Sequence, residues 1–135
     1  MLKSKLRKKI LKVRQKFNTK SIQINFNQII KILKRKKITN KIIGGYYPVN
    51  FEIDDLALLR KFKKNKFNIS LPVIKKNFQM DFYSWSFSEP LKINKYGIPE
   101  PEKKYIVYPD VLLIPLVAFD KNLNRLDMVV DTTID

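Results

Sequence analysis

The chain has 135 residues, with 28 Lys and Arg against 12 Asp and Glu, a net charge of +16, and neither cysteine nor histidine. Such a length suits one compact domain. The inventory excludes a disulfide framework, a zinc finger, a thiol nucleophile and an imidazole base, and leaves carboxylates, lysines, backbone amides or an oxygen-held metal to carry any chemistry.

Leu2, Leu6, Ile10, Val13 and Phe17 recur at spacings of four, four, three and four, which predicts a helix with these residues on one face and basic residues on the other. Ile22, Phe26, Ile29, Ile30 and Leu33 repeat the pattern behind Asn18, Thr19 and Ser21, each a candidate cap, and the second basic helix is expected to end near Asn40. Lys41 to Tyr47 reads as a strand closed by Pro48, and Asp54-Asp55 open a helix through Phe62. Phe67 to Pro72 reads as a second strand and Phe78 to Trp85 as a third. Val111 to Pro115, continuously apolar, reads as a fourth, buried on both faces. Glu89 to Pro109, rich in Pro, Gly and Lys, reads as a surface loop. Strands separated by helices predict an α/β fold of three layers around a mainly parallel sheet with flanking helices. The longest apolar run, Val111 to Phe119, falls well short of the ~20 residues a membrane span needs, and no charged leader precedes an apolar segment. A soluble cytoplasmic chain is expected.

The charge invites a nucleic-acid reading, but Lys, Ile and Asn, the residues of A+T-rich codons, supply 51 of the 135 positions. Lysines spread from Lys3 to Lys121 and only 5 cations are arginine, so a solvated lysine surface is expected and a nucleic-acid partner is not. The competing reading is a small RNA- or DNA-binding protein built on the two basic helices, with Tyr46, Tyr47 and Phe51 for stacking.

Six blocks in order carry the leading reading and leave the nucleic-acid one as its alternative: Lys3-Ser4-Lys5-Leu6-Arg7; Tyr47-Pro48-Val49-Asn50-Phe51-Glu52-Ile53-Asp54; Leu71-Pro72-Val73; Gly97-Ile98-Pro99-Glu100-Pro101; Pro109-Asp110-Val111-Leu112-Leu113-Ile114-Pro115; and Val117-Ala118-Phe119-Asp120 with Arg125-Leu126. Together they resemble the 5-formyltetrahydrofolate cyclo-ligase, or methenyltetrahydrofolate synthetase, family. The resemblance implies an α/β fold and a reaction dependent on ATP and magnesium. ATP phosphorylates the formyl oxygen of 5-formyltetrahydrofolate, the neighbouring nitrogen attacks the activated carbon, and phosphate leaves to give 5,10-methenyltetrahydrofolate. By the same resemblance Lys3, Ser4, Lys5, Leu6 and Arg7 form a nucleotide-binding helix with Lys3 and Arg7 toward the ATP phosphates, and Arg125 opens a phosphate-binding loop. Glu52 becomes the folate-contacting glutamate, Tyr47 a pocket wall and Trp85 an aromatic ring near the folate. Residue by residue, the bland alternatives are a basic helix face for Lys3 and Arg7, a helix-entry acid for Glu52, core packing for Trp85 and an exposed turn for Arg125. No metal ligand is assigned, and a monomer is favoured.

The resemblance breaks after Arg125-Leu126. There the family runs on with a glycine-rich stretch such as GYGGGYYDR, whose amides cradle phosphates, whereas this chain reads Asp127-Met128-Val129-Val130-Asp131-Thr132-Thr133-Ile134-Asp135. Written as GGA TAT GGT GGT GGA TAC TAC GAT AGA T and read after loss of the first base, the family motif becomes D-M-V-V-D-T-T-I-D. The tail 127–135 is therefore expected to be out of frame behind the cyclo-ligase-like portion 1–126. The chain is expected to be an inactive fragment incomplete at its C-terminus.

Overall fold

The computed structural model describes residues 2–16, 23–38, 41–116 and 118–126. Two units emerge. The first comprises Met1–Ile22, Pro48–Asp54 and Pro115–Asp135, and the second Gln23–Tyr47 and Asp55–Ile114. The out-of-frame tail expected at 127–135 lies outside the described residues, as do the expected caps Asn18, Thr19 and Ser21 and the terminator Asn40.

The second unit holds a five-stranded sheet in the order β6-β3-β2-β1-β7, built from β1 (Ile42–Gly44), β2 (Asn68–Ile74), β3 (Met80–Ser84), β6 (Ile106–Val107) and β7 (Val111–Leu112). β1 runs parallel to both β2 and β7, with Ile43 opposite Ile69 and Val111. β2 to β3 and β3 to β6 are antiparallel, so the sheet of this α/β fold is mixed where a mainly parallel one was expected. Connection length decides this. β1 reaches β2 through a helix, as a parallel crossover requires, whereas only residues 75–79 join β2 to β3, closed by Lys75 N–H donating to the Gln79 carbonyl at 2.7 Å.

Helices α2 (Phe26–Arg35) and α3 (Leu56–Lys64) supply the other half of the core. Leu58, Leu59 and Phe62 of α3 pack with Leu33 of α2 and with Ile43, Ile69 and Leu71 of the sheet. Phe62 lies edge-on to Phe26 at 5.1 Å and to Phe67 at 5.0 Å. The Ser70 hydroxyl, buried in the central strand, donates to the Ile43 carbonyl at 3.0 Å, which satisfies it.

α2 begins later than the apolar spacing predicts. Its cap is Asn25, whose side chain accepts the Gln28 N–H at 3.2 Å. Glu89 to Pro109 is also more ordered than its composition implies. Strands β4 (Leu91–Ile93) and β5 (Pro99–Pro101) form a hairpin around Asn94, whose side chain accepts the Tyr96 and Ile98 N–H groups at 2.8 and 3.0 Å, and Gly97 takes φ 78°. Prolines are tolerated in a two-stranded edge, which needs few donors. Val111 to Pro115, expected to be buried on both faces, instead contributes the two residues of β7 at the sheet edge, and Leu112 and Ile114 are each 49% exposed.

In the first unit lie helix α1 (Leu2–Lys16) and a hairpin of β8 (Ala118–Phe119) and β9 (Arg125–Leu126). The Asp120 carboxylate accepts N–H groups from Asn122 and Asn124 and the Asn124 side-chain amide across its turn, which holds that carboxyl below its ordinary value.

Helices α2 and α3 close in the same way at their C-termini. Ile38 N–H donates to the Leu33 carbonyl at 2.8 Å and Lys37 N–H to Lys34 at 3.0 Å, with Lys37 at φ 58°. Phe67 N–H donates to Phe62 at 3.0 Å and Lys66 N–H to Lys63 at 3.2 Å, with Lys66 at φ 71°. These are Schellman closures with lysine in the left-handed position that glycine normally fills. Lys37→Gly and Lys66→Gly are each expected to raise stability by about 0.5–1 kcal/mol, read as a higher urea midpoint at unchanged slope.

Candidate functional site

The residues singled out in the sequence are divided between the units. Lys3, Ser4, Lys5, Leu6 and Arg7 lie on α1, Glu52 in the segment 48–54 and Arg125 on β9, all in the first unit, whereas Tyr47 and Trp85 belong to the second.

On α1 the covered face is not the apolar stripe. Leu2, Leu6 and Val13 are exposed, and the half-buried positions are Arg7, Ile10, Leu11 and Arg14. Arg14 explains the rotation. Its Nη1 donates to the Leu116 carbonyl at 2.9 Å and its Nη2 to the Asn50 carbonyl at 2.5 Å, and charge-assisted bonds of this kind turn the helix so that the guanidinium faces the chain. At about 3.6 residues per turn, Lys3, Arg7 and Arg14 share one stripe. The spacing of seven between Arg7 and Arg14 is the signal that could have singled out Arg14 from the sequence.

Glu52 sits in the turn that Arg14 holds. Val49 N–H donates to Glu52 Oε1 at 2.8 Å, and Glu52 N–H donates to the Val49 carbonyl at 3.0 Å. Burial raises the Glu52 carboxyl above its ordinary 4.5, against the smaller opposing pulls of the Val49 N–H and the Arg14 charge. With one oxygen engaged, the other is an acceptor suited to a ligand edge that carries N–H donors. Glu52 does not act as a helix-entry acid. α3 starts at Leu56 with Asp55 at its N-cap, and the Asp55 carboxylate accepts the Tyr46 N–H at 3.1 Å without capping the helix.

Tyr47 is half-buried three residues past β1, a strand flanked by parallel neighbours, and open α/β sheets bind ligands beyond such strand ends. Trp85 is 5% exposed within the core; its indole N–H donates to the Glu89 carbonyl at 3.2 Å and its ring lies 4.6 Å from Phe87. Arg125 stands opposite Phe119 on a strand and not in the preceding turn.

The sequence profile of the 5-formyltetrahydrofolate cyclo-ligase family matches residues 1–128. The chain belongs to that family. A curated relative, the 5-formyltetrahydrofolate cyclo-ligase of Haemophilus influenzae, is 36% identical over 96 residues, which are 65% of this chain and 51% of the relative. The chain thus spans about half the length of that relative. The NMR structure of Aquifex aeolicus 5,10-methenyltetrahydrofolate synthetase is similar with a TM-score of 0.72 at 27% identity, over 98% of this chain and 70% of that one. The Mycoplasma pneumoniae 5,10-methenyltetrahydrofolate synthetase gives a TM-score of 0.61 at 21% identity, over 94% and 71%, a likeness of fold.

Because burial raises the Glu52 carboxyl, the folded state holds the proton more tightly than the unfolded state, and stability falls as pH rises from 4.5 through the folded value. Glu52→Gln keeps an acceptor for the Val49 N–H and removes the charge. It is expected to raise the urea midpoint at pH 7, with the gain shrinking to nothing below about pH 4. A gain that persists in acid would point to packing as its source.

Proposed function

We propose that this chain is a 5-formyltetrahydrofolate cyclo-ligase-like protein that retains a reduced-folate contact and lacks turnover. The observation that carries the reading is the half-buried Glu52 carboxylate, one oxygen fixed by Val49 N–H in a turn held by Arg14, within a chain of this family. Its second oxygen accepts from the amino and ring N–H donors of a pterin; Tyr47 is assigned to folate binding by the family resemblance alone. Lys3 and Arg7, with Ser4, Lys5 and Leu6 in the same turns, and Arg125 face the ATP phosphates. Lysine supplies a mobile charge and arginine a rigid fork against a polyphosphate. Trp85, being core, contributes packing.

ATP would provide the phosphoryl group that activates the formyl oxygen. Among the described residues no three carboxylates form a group able to hold a metal, so no residue of this chain is assigned to magnesium and no step is routed through it. The chain beyond Gly97 contains no glycine, so the amide cradle on which phosphoryl transfer depends has no residues able to form it cheaply. On this reading the tail 127–135 is the out-of-frame translation of the family's glycine run. No described helix is long and apolar enough to cross a membrane, and a cytoplasmic monomer fits the reading.

With ATP, magnesium and 5-formyltetrahydrofolate, the purified chain is expected to give no ATP-dependent rise in methenyltetrahydrofolate absorbance at ordinary enzyme concentration. Calorimetric titration should still detect 5-formyltetrahydrofolate, about tenfold more weakly in Glu52→Gln. Turnover would overturn the loss of activity, and absence of binding would overturn the folate contact.

A further inference from the structure

Between Val49 and Glu52 the backbone takes two successive left-handed residues, Asn50 at φ 52° and Phe51 at φ 62°. This is the turn class that ordinarily carries Asn followed by Gly. Asn50 is unremarkable there. A phenylalanine at positive φ is an outlier that persists only where its surroundings over-determine it. Three bonds do so: Glu52 N–H to the Val49 carbonyl, Val49 N–H to Glu52 Oε1, and Arg14 Nη2 to the Asn50 carbonyl.

Burial does not offset the strain, because Phe51 is 47% exposed. Phe51 immediately precedes Glu52, so an exposed aromatic ring and a half-buried carboxylate stand on the same short turn. A carboxylate reads the N–H edge of such a ring, and an aromatic side chain covers its face. Building on the folate reading of Glu52, we infer that Phe51 is a specificity-determining residue that stacks on the pterin ring whose edge Glu52 accepts from. The strained turn holds the ring out for that contact.

Leu123 provides an internal control. It is also a large apolar residue at positive φ, 63°, and 75% exposed, but it lies in the β8–β9 turn. The test is calorimetric titration of the full chain with 5-formyltetrahydrofolate, alongside thermal melting. Phe51→Gly is expected to weaken binding about tenfold while raising the melting temperature by about 4 °C, since it removes the ring and relieves the backbone together. Phe51→Trp should keep the affinity. Leu123→Gly should gain a similar melting increment with affinity unchanged. Affinity in Phe51→Gly equal to that of the unmodified chain would overturn the stacking role and leave the folate reading standing. No binding by the unmodified chain would overturn both.

Discussion

Two adjacent glycines set how closely the layers of the second unit can approach the end of β1. A Cβ on Gly44 would stand 2.7 Å from Leu112 Cδ2 and 2.9 Å from the Pro109 ring, and one on Gly45 2.6 Å from Leu59 Cδ1. Real Cβ atoms do not make such contacts, so a side chain at either position would push the Leu112 side chain and Pro109 ring on one side or the buried Leu59 side chain of α3 on the other. The same approach places Asp55 Oδ2 against Gly45 and within reach of the Tyr46 N–H. From this closure follow the burial of Ile43 and Leu59 and the course of the chain as it leaves β1 toward Tyr47.

The distribution of glycine sharpens that point. Of three glycines only Gly97 takes positive φ, while Lys37, Asn50, Phe51, Lys66, Asn77 and Leu123 occupy left-handed positions without one. An αL residue with a side chain costs on the order of 1–2 kcal/mol and leaves its neighbours in place, whereas a Cβ 2.6 Å from Leu59 Cδ1 must shift a fully buried leucine. In a composition shifted toward Lys, Asn and Ile, two of the three glycines stand where space is short, and six left-handed positions among the described residues do without one. The two lysine-closed helices tolerate the substitution because their C-terminal hydrogen bonds and the Phe62–Phe67 contact are intact.

Periodicity made the elements legible and left their partners obscure. The spacing of apolar residues located α1, but the outward position of Leu6 and Val13 follows from two carbonyls 36 and 102 residues away that bind Arg14. No local pattern encodes such a contact. The strands β1 to β3 were legible because β-branched and aromatic residues cluster there. The hairpin of β4 and β5 was hidden because its prolines read as loop, and their tolerance depends on an edge position that only tertiary structure reveals. Glu52 was legible as a candidate through the order of sequence blocks. Its engagement by Val49 and its desolvation were not, since both depend on a turn with a phenylalanine where sequence rules expect glycine.

That turn also indicates which part of the chemistry can survive alone. The environment of Glu52 is assembled from four consecutive residues and one guanidinium, so its geometry is fixed within the first unit by short hydrogen bonds. A phosphate cradle is built differently. It requires several amides to converge on one anion, which is a property of a continuous glycine-rich run and cannot be approximated by scattered lysines. Lys3 and Arg7 can attract a polyphosphate, but two cations on one helix neither orient a γ-phosphoryl group nor exclude water from it. Ligand recognition and phosphoryl transfer therefore rest on separable physical devices.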